Sequence, residues 1–423
     1  MKFRKALALI LALATVFALA ACGAKTEAPA AESSSTAAEK IPMSIWLPPY
    51  TSGETMDAEF WTETLQPWCE ENNVDLSITI VPWENYEERN LTGFVSGQGP
   101  DVSYMYNEML FEYIDKGYLA PLDQYMTDAD KDNYTMLQLG QIRGQQFSMP
   151  CVPGGYRIVF YNKDILDKAG CEVPHTWQEL IDVCLTIKEK CPGVVPFGQD
   201  WQGEAIGLLN TSYYPYLWAA GGELFNDDGT CALMDNDAAV RAAQFIYDTI
   251  YKYQINVEEP SALDVDAALS MFNDGEIAFV CMSLFKCWDF SADLNWDWIP
   301  GFAAEEGGQP VVWTAADGLV LNSASEHPEL AYSLIHFMTN GEAYDKFNSQ
   351  MAFCPAITKD GKSYVDPKFD ALFDGVPLKG MPVAKNANAL MTTLKQNLQL
   401  MVLDEMTPEE AIQETVDYFN TLK

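Results

Sequence analysis

Histidine is almost missing. The 423 residues hold three, His175, His327 and His336, and none is spaced as a metal ligand. The ten cysteines include no C-x-x-C pair, which removes the strongest zinc and thioredoxin-like readings. Cations are scarce as well: 25 Lys and Arg stand against 61 Asp and Glu, a net charge of −36. Nucleic acid, which attracts Lys and Arg, is therefore excluded as a partner, and so is electrostatic docking on an anionic membrane. No G-x-S-x-G element occurs, and Gly97-x-Gly99 leads into Pro100-Asp101 rather than a third glycine and a helix, so no dinucleotide site is supported. Asp128-x-Asp130-x-Asp132 fails as a calcium loop because Asn133 and Leu139 fill the positions that need Gly and Glu. No short-period repeat appears, which excludes solenoids and propellers. These absences leave neither a cofactor nor a metal to expect, and no catalytic group stands out.

What is present is an apolar share of 48% and an aromatic share of 12%, the composition of a globular protein. The length exceeds what one core of about 250–300 residues supports, so two packing units are expected. Lys2, Arg4 and Lys5 precede a fourteen-residue run, Ala6–Leu19, broken only by Thr15. That is short for a membrane span of about 20 residues and suited to a signal-peptide core. It ends Leu19-Ala20-Ala21-Cys22, which resembles a bacterial lipobox and implies residues 1–21 as a lipoprotein signal peptide with Cys22 as the lipidated N-terminus. Its removal would take the charge from −36 to −39. Residues 22–42 have no apolar periodicity and read as a flexible tether.

From Met43 the pattern alternates strand and helix. Met43, Ile45 and Leu47 alternate; Phe60, Trp61, Leu65 and Trp68 share one helical face; Leu76, Ile78 and Ile80 alternate again. A helix over 84–94 and a strand over 101–106 follow. Arg157–Tyr161 and Ile277–Met282 read as further strands, with helices over 237–253, 260–272, 328–338 and 342–351. Thr176-x-x-Glu179 and Thr407-Pro408-x-Glu410 are capping boxes that open helices. Alternation of this kind predicts α/β architecture, with mostly parallel sheets flanked by helices.

Several stretches, in order, resemble family 1 extracellular solute-binding proteins, the maltose-binding-protein-like components of ABC importers. They are Gly97-Gln98-Gly99-Pro100-Asp101-Val102, Gly117-Tyr118-Leu119-Ala120-Pro121-Leu122, Tyr161-Asn162-Lys163-Asp164 with Pro174-His175-Thr176-Trp177, Asn273-Asp274-Gly275-Glu276-Ile277-Ala278, and Glu326-His327-Pro328-Glu329-Leu330-Ala331. The resemblance implies a two-lobe periplasmic-binding-protein-like fold of type II with a hinge. Lobe 1 would be 43–150 with 312–356 returning to it, and lobe 2 would be 151–311 with 357–423. The first crossing would fall in Phe147–Pro153. It further implies a solute bound in the cleft, ABC permease subunits as partners, a membrane link through the lipid anchor alone, an extracytoplasmic location, no enzyme activity and a monomer.

A sugar offers an apolar face and a hydroxyl rim, so its site needs rings beside short polar groups on loops at strand ends. The candidates are Tyr50 and Thr51; Tyr106, Asn107 and Glu108; Gly155 and Tyr156; Trp201; Tyr213 and Tyr214; Phe285 and Trp288; and Trp313 and Asp317. Trp61, Trp68 and Trp177 lie on helix stripes and belong to the core. Arg157, inside a strand run, reads as structural. No Lys/Arg cluster meets these loops, so a neutral sugar is favoured over an anionic ligand. The surplus of carboxylates leaves a polyamine on the same scaffold as the runner-up, and a secreted glycoside hydrolase as a third reading.

Overall fold

Strand formation follows the alternation. In the computed structural model β1 (Ile41–Leu47), β2 (Val74–Ile80) and β3 (Val102–Met105) pair in parallel, β1 in the middle. The structure describes residues 39–50, 54–203, 205–226, 229–373 and 375–422. Residues 1–38, which hold the leader and Cys22, lie outside them, as does Thr51. Lys40–Lys423 forms one compact unit.

Short pieces follow: β4 (Leu119–Ala120) and a small hairpin of β5 (Gln141–Ile142) and β6 (Gln145–Gln146). Next comes β7 (Ser148–Asn162), fifteen residues long. The rest are β8 (Val195–Gly198), β9 (Ile277–Ser283), β10 (Trp296–Ile299), β11 (Val312–Asn322) and β12 (Leu378–Lys379). Ten of the twelve strands among the described residues form one sheet of order β2-β1-β3-β11-β7-β9-β8, with β10 on β7, and β4 and β12 on β11.

The sheet is continuous through both halves, which the expected pair of mostly parallel sheets did not anticipate. β7 and β11 make it so. The first part of β7 pairs antiparallel with β11, and Arg157–Tyr161 pairs antiparallel with β9. At its other end β11 pairs antiparallel with β3. β7 therefore starts nine residues before the expected Arg157. Phe147–Pro153 is the expected first crossing, and from Ser148 it is strand, which up to Tyr156 has β11 on one side only. Prolines are tolerated where one edge is free of ladder bonds.

Three apolar clusters cover the sheet. One gathers side chains from Met43 to Val152 and from Leu319 to Ile357, including Trp61 and Trp68. A second takes Val159, Tyr161 and Phe279 with the helices Trp177–Lys190, Ala238–Tyr251, Ala387–Val402 and Pro408–Thr421. A third holds Tyr156, Ile158 and Phe160 with Phe272 and Phe369. The period-two pleat sends neighbours of β7 to opposite faces, and both faces are covered.

Helix ends follow local chemistry. The boxes at Thr176/Glu179 and Thr407/Glu410 are made in both directions. The expected 260–272 helix is divided: Pro260–Ala262 is one 3-10 turn, and Asp264 caps Val265–Asn273 by accepting from the Ala267 N–H at 2.7 Å. The 342–351 helix begins at Gly341, ends at Phe347 and continues as a wide π turn, Asn348–Ala352. The nine described cysteines are all unbridged thiols. No helix among the described residues is long and apolar enough to cross a membrane.

Candidate functional site

β1 and β3 end side by side, and β11 runs antiparallel beside β3. Their ends bring together Tyr50, Tyr104, Tyr106, Asn107, Glu108 and Asp317. Gly318 is paired with Met105 and Leu319 with Tyr104. The Tyr104 hydroxyl donates to Asp317 Oδ2, and the Tyr106 hydroxyl to Glu87 Oε1. Tyr86 donates to the Tyr104 carbonyl at 2.8 Å. Tyr50 packs edge-on against Tyr104 (6.0 Å) and Phe347 (4.9 Å). Its N–H donates to Asp57 Oδ2 at 3.0 Å, which fixes the loop after β1.

The centre is Arg157, on β7 where that strand leaves β11 for β9. Its guanidinium lies 4.7 Å from the Trp313 ring centroid and donates to the Gly155 carbonyl. Gly155 has φ +57°, a left-handed turn that suits glycine, and a Cβ there would lie 3.5 Å from Arg157 Nη1. Asp317, Asp200 and Glu108 all act on the guanidinium. Burial pushes the Glu108 carboxyl up to about 8, with Asp317 and Glu87 adding repulsion. Burial pushes Asp317 up to about 7, against the Tyr104 hydrogen bond and Arg157, which pull it down. It pushes Asp200 up to about 6, against a backbone hydrogen bond and Arg157. Burial thus favours the neutral form of all three carboxyls, which lessens the negative charge around the Arg157 guanidinium near neutral pH.

Buried polar atoms without a hydrogen-bond partner occur in several parts of the molecule, and three of them, Asn107 Oδ1, Tyr214 Oη and Trp313 Nε1, belong to residues beside this centre. Tyr214 feels the charge of Glu108, and Trp313 carries the Arg157 stack. A buried unpaired polar atom costs about 1–3 kcal/mol, so several together mark a place where water or a ligand completes the bonding.

Of the residues nominated from sequence, the fold brings together Tyr50, Tyr106, Asn107, Glu108, Gly155, Tyr214, Trp313 and Asp317. Tyr156 goes to the third apolar cluster, its neighbour Arg157 taking the other face of β7. Trp201 and Tyr213 are packed in the second cluster, and the Tyr213 hydroxyl donates to the Ala239 carbonyl at 3.0 Å. Phe285 stacks on Trp288 (5.4 Å), which lies on Phe353 (4.3 Å). A Cβ on Gly155 would be 3.6 Å from the Phe285 ring, so this stack adjoins the centre. Arg157, Tyr104, Tyr86, Glu87 and Asp200 were not nominated. Arg157 carried a usable signal, as the one charged residue in an otherwise apolar strand. Tyr104 carried none, since a tyrosine in a buried strand reads as core. Among the described residues no group of three His, Cys, Asp or Glu side chains could hold a metal ion.

Known proteins agree with this architecture. The sequence profile of the bacterial extracellular solute-binding proteins matches residues 48–345. An arabinooligosaccharide-binding protein of Halalkalibacterium halodurans is 23% identical over 316 residues, covering 70% of this chain and 68% of that one. An ABC transporter solute-binding protein of Thermotoga lettingae, solved with α-D-tagatose, superposes with a TM-score of 0.76 at 20% identity, over 90% of this chain and 99% of that one. A maltose-bound protein of T. maritima gives 0.72 at 21% identity, over 90% and 100%. The shared fold is that of type II periplasmic binding proteins, and with the profile spanning more than half its length the chain belongs to the bacterial extracellular solute-binding proteins.

Proposed function

We propose that this chain is the extracytoplasmic, lipid-anchored receptor of an ABC importer, and that it binds a neutral sugar or oligosaccharide between two lobes. Residues 43–150 with 312–356 form one lobe, and 151–311 with 357–423 the other. β7 and β11 are the crossings about which they close. Cys22 holds the anchor, residues 22–42 are the tether, and permease subunits receive the closed form. The protein performs no covalent chemistry and works as a monomer.

The observation that carries the reading is the set of orphaned polar atoms beside aromatic faces. Trp313 and Tyr50 supply rings, while Asn107, Tyr214, Asp317, Glu108 and Arg157 supply donors and acceptors for hydroxyls. In this reading Tyr106 belongs to the rim of lobe 1, and Phe285 and Trp288 to the rim of the other. The lessened negative charge around Arg157 suits an uncharged solute. A ligand that binds only the folded state raises the melting temperature, by an amount set by its concentration over Kd. A panel of mono- and oligosaccharides should therefore include some that stabilise the purified protein at millimolar concentration. A flat response across the panel would sink the sugar reading.

One observation favours a second reading. Three buried carboxyls, Glu108, Asp317 and Asp200, lie close enough to act on a single guanidinium, and a cationic solute such as a polyamine would favour the ionised form of all three. Stabilisation by spermidine, stronger at pH 8 than at pH 6, with no response to sugars, would establish that reading instead.

A further inference from the structure

We propose that Phe353 is a strained clasp that holds the two lobes together through Trp288, so that the balance between open and closed forms is set in part by a ring stack outside the polar centre. This rests on the two-lobe reading above and adds what opposes opening.

Phe353 has φ +47° and ψ +41°, a left-handed backbone on a bulky residue. A Cβ makes that conformation costly, and glycine would take the same turn without strain. The chain around Phe353 enforces the turn. The Phe353 N–H donates to the Asn348 carbonyl at 2.7 Å. The buried Asn348 side chain then takes both backbone groups of the next residue. Its Oδ1 accepts from the Cys354 N–H at 2.6 Å, and its Nδ2 donates to the Cys354 carbonyl at 3.1 Å. Asn348 also opens the π turn Asn348–Ala352 that leads into Phe353. π turns and left-handed bulky residues both gather at functional places. A ring kept where glycine would be less strained points to a use for the ring.

The ring lies 4.3 Å from the Trp288 ring, centroid to centroid, and Trp288 stacks on Phe285 at 5.4 Å and 22°. The two ends of this stack grow from different cores. Ala352 and Cys354, on either side of Phe353, are buried in the cluster that holds Trp61 and Trp68. Leu284 is buried in the third cluster, and Cys287 and Phe290 pack against it. The stack therefore joins two cores, and with them residue 353 of one lobe to residues 285 and 288 of the other. Trp288 is 43% exposed, so water reaches the stack as soon as the rings part. Ring contact is short-ranged: a gap of about 1 Å forfeits up to half of the attraction. A small rotation of the lobes thus breaks it. Once it is broken nothing offsets the strain at Phe353, and the turn can relax. The closed form carries both stack and strain and the open form neither, which makes two discrete states of what would otherwise be a continuous swing.

The test is small-angle scattering of the protein without ligand, as wild type, Phe353→Ala, Trp288→Ala and the double variant. Each single variant should have a larger radius of gyration than wild type, and the double variant should be no larger than the singles, because either change alone removes the whole contact. A fourth variant reads the strain: Phe353→Gly should be at least as resistant to urea as Phe353→Ala, since glycine takes the left-handed turn freely. An unchanged radius in all three variants, single effects that add in the double, or Phe353→Ala clearly more stable than Phe353→Gly would overturn the clasp. Shrinkage of wild type on adding maltose or arabinotriose in the same measurement would still leave a two-lobe sugar receptor standing. If instead the variants widen and no sugar alters the wild type, the clasp stands and the sugar reading falls alone.

Discussion

Glu108 sits in an environment far from that of an ordinary carboxylate. The unfolded chain ionises it near the usual 4.5; the folded chain keeps the proton up to about 8, because burial penalises the anion and Asp317 repels it. Between those values the folded state holds a proton that the unfolded state has released, so stability falls as pH rises through this window. Asp317, raised to about 7, adds to the same slope. Replacing Glu108 by Gln removes a titrating group and keeps the shape. Between pH 5 and pH 8.5 the melting temperature of wild type should drop more steeply than that of Glu108→Gln, and the variant should be the more stable at pH 8.5, by about 2 °C or more if a kcal/mol or so is relieved. Parallel curves from scanning fluorimetry would show that the carboxyl is not held protonated. Little of this was readable beforehand. Glu108 could be nominated because it follows a ring at a strand end. Its partners could not, since Tyr104 and Arg157 sit inside apolar strands, and only the register of β11 against β3 and β7 turns them toward the same place.

Among the elements, the contact of β7 with β11 tolerates little change. Gly318 faces Pro150 across the pair, at a register irregularity between Asp317 and Gly318. A Cβ at Gly318 would lie 2.1 Å from Ser148 Oγ and 2.5 Å from the Met149 carbonyl oxygen. Ser148 Oγ could rotate away, but the carbonyl belongs to the strand itself. Gly318→Ala should therefore push the two strands apart and destabilise the protein by about 3 kcal/mol, the cost of overpacking a tight core, measurable as a shift in the urea midpoint. A variant within half a kcal/mol of wild type would mean the strands part freely. The caps at Thr176 and Thr407 were legible because a capping box is local, needing only residues three apart. β7 was legible over its second part alone, where Arg157–Tyr161 alternates. Its first part is built from two prolines and two glycines, and becomes strand only through β11, which is about 160 residues away in sequence. The same holds for β10, whose Trp296-x-Trp298 gains its meaning from pairing with Phe160 and Asn162.

At the scale of the molecule, the acidity that excluded nucleic acid and anionic membranes is spread over a surface where the ion pairs are mostly exposed. Those pairs add little stability, and the net charge acts chiefly on solubility. The α/β class and the order of elements were legible because they depend on periodicity repeated over many residues. The continuity of the sheet was not, because it depends on two strands belonging to both halves. If the halves part about those strands, the orphaned atoms at Asn107, Tyr214 and Trp313 gain water in the unliganded state and solute in the closed one. Small-angle scattering should record a smaller radius of gyration with a stabilising sugar than without. An unchanged radius would mean that ligand enters a molecule already shut.

Arg157, Trp313 and Asp317 lie on β7 and β11 themselves. In any rotation about a pair of strands, an atom travels in proportion to its distance from the axis. If β7 and β11 are that pair, these three residues move little, and groups on the flanking helices and loops move more. The centre around Arg157 would then keep its shape through the whole swing and meet every arriving solute in the same form, while the outer groups arrive afterwards. Selection at the centre would come first and selection by outline second, in an order set by geometry alone.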